Sequence, residues 1–261
     1  MTIGMLPDDV LLEIFDRYKK NDGHINWNWV LLVHVCRRWR QVVFSQPLCL
    51  ELQILCTSIT PVKKNLDIWP ALPIAISSFC YDITNDDEDN IITALKHIDR
   101  VWDIKLHVNY SELEKIATVM QEPFPVLKSL YINSQNSKTA ALPAKFLGGS
   151  APCLQEIDLN SIPFVELPTL LLSTNDLVYL DLRNIPPSGY ISPEAMVAGL
   201  AALPRLVEFV MAFRSAVRSP ALLHQPPVTR TVLPALTFFL FAGTTVAGIW
   251  RTSLPEYTPL N

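Results

Sequence analysis

Two spacings of apolar residues divide the chain. From Val10 to Tyr18 the apolar positions Val10, Leu11, Ile14, Phe15 and Tyr18 recur every three or four residues, which is one face of a helix. Pro7 suits the first helical position, where its missing N–H would have no partner, and Asp8 and Asp9 set negative charge against the positive end of the helix dipole. A polar spacer from Lys19 to Asn28, broken by Ile25 and Trp27, leads to a second apolar run through Trp29, Val35, Cys36, Trp39, Val42 and Val43. The pattern predicts two or three short helices in residues 1–50. So small a unit buries too little surface to fold well by itself and needs the rest of the chain, or a partner, to pack against.

After Leu48 the period changes. Six segments place apolar residues in an L-x-x-L-x-L frame: Val101/Ile104/Leu106, Leu127/Leu130/Ile132, Leu154/Ile157/Leu159, Leu177/Leu180/Leu182, Leu206/Phe209/Met211 and Leu236/Phe239/Phe241. Their first positions lie 26, 27, 23, 29 and 30 residues apart, a repeat whose unit has to stack on its neighbours to bury a face. Pro125, Pro152, Pro204 and Pro234 each stand two residues ahead of a frame, and we read them as strand starts, where no ladder donor is lost. Leu50, Leu52, Ile54, Ile74 and Ile76 read as degenerate earlier strands. Helices are predicted between the frames. Residues 86–99 open on four acids, Ser111 and Glu114 make a capping box, and Ser192-Pro193-Glu194 is a start signal. The expected fold class is α/β, with an N-terminal three-helix unit over residues 1–50, linking strands and a first helix over 51–97, a strand–helix array over 98–250 and a tail over 251–261.

Composition narrows the function classes. An apolar content of 49 % is ample for a core, and the net charge of −4 with a pI near 5.7 leaves no basic footprint for nucleic acid. Cys36, Cys49, Cys56, Cys80 and Cys153 form no C-x-x-C and are odd in number, which fits a reducing compartment. With no basic region followed by an apolar run at the N-terminus, the expected location is cytoplasmic or nuclear.

The N-terminal residues resemble an F-box, the helical module that docks a substrate receptor on the adaptor of a cullin-RING ubiquitin ligase. The resemblance rests on Leu6-Pro7, Asp9, Val10, Leu11, Ile14-Phe15 and, in the second half, Val35-Cys36-Arg37-Arg38-Trp39. The spacer is longer than usual for that family, and Leu48-Cys49 stands where Leu-Trp is frequent. The frames behind it resemble leucine-rich repeats. Where those carry Asn or Cys three residues after the last Leu, Asn109 conforms and Gln135, Ile162, Ile185, Arg214 and Thr244 do not, so the expected array is an irregular, shallow-curved α/β solenoid. The combination is similar to fungal F-box proteins.

That resemblance implies a non-enzymatic substrate receptor that brings a target near a ubiquitin-charged enzyme. Leu6, Pro7, Leu11, Ile14, Phe15, Val35, Cys36 and Trp39 would hold a Skp-type adaptor and, through it, a cullin. An unknown protein target would lie on solvent-side strand positions: Lys105, Lys128, Tyr131, Glu156, Asp158, Tyr179, Asp181, Glu208 and Val210. A repeat scaffold without ligase coupling and a C-terminally membrane-anchored protein are the other readings.

Other candidate sites have plainer accounts. Asp86-Asp87-Glu88-Asp89 lacks the spacing, glycine and closing glutamate of a calcium loop, and His24, His34, His97, His107 and His224 have no ligand spacing, so neither metal nor cofactor is expected. Gly148-Gly149 reads as a turn, and Asn109-Tyr110-Ser111 as a repeat position. Val232 to Trp250 has no charge and approaches the length of a bilayer span, yet Leu236/Phe239/Phe241 continue the repeat, so it reads as a last buried strand. Such an array would lack a polar cap, as if its C-terminus were incomplete.

Overall fold

The computed structural model describes residues 6–19, 28–47, 50–78, 83–134, 141–214 and 231–242. Three helices open it: α1 (Asp8–Lys19), α2 (Asn28–Val35) and α3 (Arg37–Ser45). Then strands and helices alternate: β1 (Ile54–Cys56), α4 (Val62–Ile68), β2 (Ile74–Ser78), α5 (Asn85–Leu95), β3 (Val101–Val108), α6 (Tyr110–Val119) and β4 (Ser129–Ser134). A 3-10 turn at Phe146–Gly149 precedes β5 (Glu156–Asn160), followed by α7 (Leu167–Leu171), β6 (Tyr179–Ile185), α8 (Pro193–Leu200), β7 (Glu208–Phe213) and β8 (Phe238–Ala242). The strands form one eight-stranded sheet in chain order, and every neighbouring pair is parallel. The fold is mixed α/β, a helical N-terminal region followed by a parallel sheet.

The apolar frames become the sheet's inner face. Ile104, Leu130, Ile157, Leu180, Phe209 and Phe239 fall in register across β3 to β8, and Leu106, Ile132, Leu159, Leu182, Met211 and Phe241 form the next row. All are buried up to β7, whereas Phe239 and Phe241 are half-buried. The loss of cover at β8 is physical: β7 is packed from both sides, while β8 has one described neighbour.

The prolines play a different part from the one their position suggests. The N–H groups of Leu127, Leu154, Leu206 and Leu236 donate to the carbonyls of Phe124, Ala151, Leu203 and Leu233 at 3.1–3.4 Å. Pro125, Pro152, Pro204 and Pro234 therefore take the second position of a β-turn, where a fixed φ near −65° is preset for the bend. The strands begin four residues later. In the Leu177 frame Leu177 donates to Thr174 in the same way, with Asn175 in the proline's place, whereas Val101 donates to His97, four residues back. Between turn and strand, the carbonyls of Lys128, Gln155, Val178 and Val207 each accept two successive N–H groups of the next frame, a small bulge repeated from strand to strand. This backbone ladder ties the start of each strand to the strand before it.

Helix caps follow local chemistry. Thr84 caps α5 in a reciprocal box with Asp87, and Ser192 caps α8 ahead of Pro193. For α6 the box is Asn109 with Glu112, not Ser111 with Glu114. Asn109 wins because its side-chain oxygen accepts the Glu112 N–H while Glu112 returns to the Asn109 N–H at 2.8 Å. Asn90 on α5 ties down the segment before α4, accepting from the Val62 N–H at 2.6 Å and donating to the carbonyls of Thr57 and Thr60.

One continuous apolar core runs from Leu11 to Met211. Its hinge between the helices and the sheet is aromatic: Trp69, just after α4, lies 5.4 Å from Trp29 and 5.8 Å from Phe44 by ring centroids. The helical unit thus packs on the chain behind it. No helix of the described residues is long and apolar enough to cross a membrane. Of the apolar stretch Val232 to Trp250, residues through Ala242 form a turn and β8, and 243–250 lie outside the described residues, as do Leu48-Cys49 and nearly all of the spacer.

Candidate functional site

Two surfaces gather the residues singled out from the sequence. The first lies on α1 to α3. The apolar stripe of α1 is split in two. Leu11 and Phe15 are 0 % and 1 % exposed, and Phe15 stacks on Trp39 at 4.8 Å between centroids. Val10, Ile14 and Tyr18 stand outside, Ile14 at 40 % exposure, and Leu31 and Val35 on α2 reach 60 % and 59 %. Leu6 and Trp39 are half-buried, and Pro7 and Cys36 are exposed. Leu11 and Phe15 are therefore interior residues, corrected from the surface set, because helical spacing alone cannot tell which half of a wide apolar stripe meets the core. Val10, Tyr18 and Leu31 join the surface set. The signal for Val10 and Tyr18 was their place with Pro7 and Ile14 on one helical ridge, at steps of three and four residues.

Cys36, Arg38, Trp39 and Arg40 have distinct physical roles. Cys36 interrupts α2 and caps α3, its Sγ accepting the Trp39 N–H at 3.5 Å. Arg40 donates to the Val33 carbonyl at 3.0 Å, satisfying an acceptor at the end of α2 that the helix leaves open. Arg38 reaches back to α1, where it donates to the Leu6 carbonyl and pairs with Asp8 at 2.7 Å. Trp39 fills the core beside Phe15. Val35 and Arg37 remain outside. The two sequence pieces are thus one structural unit, in which the Leu6-Pro7-Asp8 start of α1 is bound to the start of α3.

Residues 3–49 match the F-box-like family model. The chain carries an F-box-like domain. Such a domain points to protein–protein interaction, typically with a Skp-type adaptor. No curated protein matches the chain.

The second surface is the open face of the sheet behind the F-box-like domain. One row runs Asp103, Ser129, Glu156, Tyr179, Glu208, Phe238, and the next runs Lys105, Tyr131, Asp158, Asp181, Val210, Leu240. A third holds His107, Asn133, Asn160 and Arg183. Lys105 pairs with Asp103 at 3.2 Å, Ser129 donates to Glu156, and the Tyr131 ring lies 5.2 Å from His107. Tyr179 donates to Asp181 at 2.9 Å, and Arg183 pairs with the same carboxylate at 2.8 Å. Lys128 stands one residue before β4 with its Nζ 6.0 Å from the centre of the Trp102 ring, at the margin of the face. Glu156 and Glu208 are exposed.

Two positions on this face are not accessible. Asp181 is 1 % exposed and Val210 is buried. Alternation sends both to the open side, but Tyr179 and Arg183 close over Asp181 from two residues either way on its own strand. Asp181 is a buried carboxylate stabilised by its pair and hydrogen bonds. Its register partner Asp158 has no such compensation. Burial, and then the Asp181 charge, push the Asp158 carboxyl up to about 6 against a weaker opposing pull from Arg183. Burial likewise raises Asp103, lowers His107 and, with Asp181, lifts Tyr179 to about 12. Elsewhere burial, reinforced by Asp87, holds the Cys56 thiol near 12, fully protonated. Among the described residues, no three His, Cys, Asp or Glu side chains come together as a metal site.

Proposed function

We propose that the protein is the substrate-recognition subunit of a Skp–cullin–F-box ubiquitin ligase. The F-box-like domain binds the Skp-type adaptor and through it the cullin, and the sheet acts as a leucine-rich-repeat-like solenoid whose open face holds a protein target. The observation that carries this reading is the outward apolar stripe of Val10, Ile14 and Tyr18, with Leu31 and Val35 on the next helix. Large aliphatic and aromatic side chains kept in water on a folded helical domain are what a partner's groove buries. Leu6, Pro7, Cys36 and Trp39 supply the rest of that surface, and Leu11 and Phe15 hold it in shape from inside. The chain contributes no acid, base or nucleophile. It raises the effective concentration of a target beside a ubiquitin-charged enzyme, in the cytoplasm or nucleus.

The test is co-purification with a Skp-type adaptor. Ile14→Asp with Val35→Asp should abolish the complex while thermal unfolding stays within about 0.5 kcal/mol of wild type, as surface substitutions do. An intact complex in the double variant, or none in the wild type, overturns the ligase reading and leaves an interaction scaffold.

A further inference from the structure

The open face of the sheet is unbalanced in charge. From β3 to β7 it carries Asp103, Glu156, Glu208, Asp158 and Asp181 against Lys105 and Arg183, five carboxylates to two cations. Both cations are committed, Lys105 to Asp103 and Arg183 to Asp181. Among the described residues Glu156, Glu208 and Asp158 are left without a cation, Glu156 and Glu208 out in water and Asp158 not. Asp158 sits half-buried between Tyr131 on β4 and Asp181 on β6, and among the described residues no side chain donates a hydrogen bond to it.

We propose that this face receives a basic segment of the target protein, with a lysine or arginine head seated on the Asp158 carboxylate beside Tyr131 and Tyr179. The inference rests on the reading that the open face holds the target, and it adds the target's chemistry. Charge complementarity is the main argument. An anion pressed by a neighbouring anion and lacking a donor gains most from an incoming cation, and tyrosine rings add attraction for the same cation. Arginine, planar and weakly hydrated, suits such a half-dry seat better than lysine. The groups facing Asp158 are Tyr131 and Asn133 from β4, Tyr179, Asp181 and Arg183 from β6, and Glu156 and Asn160 from its own strand. Because the cation binds the ionised carboxylate, affinity should fall as pH drops through about 6, where Asp158 takes up its proton.

The experiment uses the full chain and three labelled decapeptides, alternating Arg-Ser, Glu-Ser and Val-Ser, with anisotropy for affinity and hydrogen exchange over β3 to β6 for location. The Arg-Ser peptide should bind and protect those strands. Asp158→Asn should weaken it about tenfold and remove its decline between pH 7 and 5. Glu114→Gln, an exposed acid on α6, should leave it unchanged. Equal losses in the two variants would mean attraction to overall charge alone and would overturn the seat on Asp158. Protection by the Glu-Ser or Val-Ser peptide instead would overturn the basic target and keep the face as the binding surface. Protection by none would overturn both. Thermal melts of the Asp158→Asn protein separate lost binding from lost folding.

Discussion

The F-box-like helices and the strands behind them both divide a short stretch of chain into an inward and an outward face, but they do so with different chemistry. In α1 apolar residues lie both within, at Leu11 and Phe15, and in a stripe without, at Val10, Ile14 and Tyr18. In β5 the inward Ile157 and Leu159 alternate with Glu156, Asp158 and Asn160. The difference teaches what each surface is suited to. An apolar outward stripe gains free energy only when covered, and it distinguishes partners poorly. A polar face with fixed donors and carboxylates discriminates by charge and register.

The comparison can be broken most forcefully at the two faces of α1. Phe15→Ala should cost about 4 kcal/mol, the range for emptying a buried aromatic site, because it also removes the Trp39 contact. Ile14→Ala, one residue away, should cost under about 1 kcal/mol. Chemical denaturation of both variants checks the contrast, and a similar loss in each would refute the split of the stripe.

Behind the F-box-like domain the sharpest test is the 3-10 turn Phe146–Gly149 ahead of β5. Gly148 has φ +60°, and a Cβ there would stand 2.5 Å from the Pro123 nitrogen, a backbone atom that cannot swing aside. Gly148→Ala combines that clash with left-handed strain and should lower stability by about 3 kcal/mol. Leu147 beside it, also at positive φ but fully buried, shows that core burial already holds this turn against its backbone preference. A variant that melts like wild type would mean the turn can relax away from Pro123.

How much of this was legible in the chain differs between the regions for a physical reason. A strand has a period of two, so one apolar residue assigns its neighbours, and the six frames fall on β3 to β8 in register. A helix has no such parity. A stripe five residues wide exceeds what one contact can bury, and only the packing of Trp39 decides that Phe15 is inside. The prolines were visible but ambiguous, since φ near −65° suits a turn as well as a strand start; the i to i+3 hydrogen bonds settle it. Alternation placed Asp181 and Val210 on the right face yet could not foresee their burial, which for Asp181 depends on Tyr179 and Arg183 reaching across. The cap of α6 was two residues off because Asn109 and Ser111 both have a carboxylate three positions on, and the reciprocal geometry forms at Asn109. Cys36 as a cap and Arg38 as a clamp on Asp8 were not legible at all, because their partners depend on how α3 meets α1.

On the polar side, the smallest expected effect is also the one of opposite sign. Asp158 titrates near 6 in the fold and near 4 in an unfolded chain. A carboxyl raised by folding favours the native state where it is protonated, so its contribution is fully present below about pH 4 and is lost as pH rises through about 6. At pH 7.5 the ionised group therefore lowers stability. The rise from about 4 to about 6 sets a ceiling of about 3 kcal/mol, which solvent screening of a half-exposed carboxylate reduces to about 1 kcal/mol. Asp158→Asn removes that penalty while keeping shape. It should raise stability at pH 7.5 by about 1 kcal/mol, leave it unchanged near pH 4, and flatten the decline between pH 4 and 6 in urea titrations. A destabilised Asp158→Asn protein at pH 7.5 would mean that the fold uses the Asp158 charge. Stabilisation would mean that the outward face of β5, like the outward stripe of α1, keeps a group that folding alone does not favour.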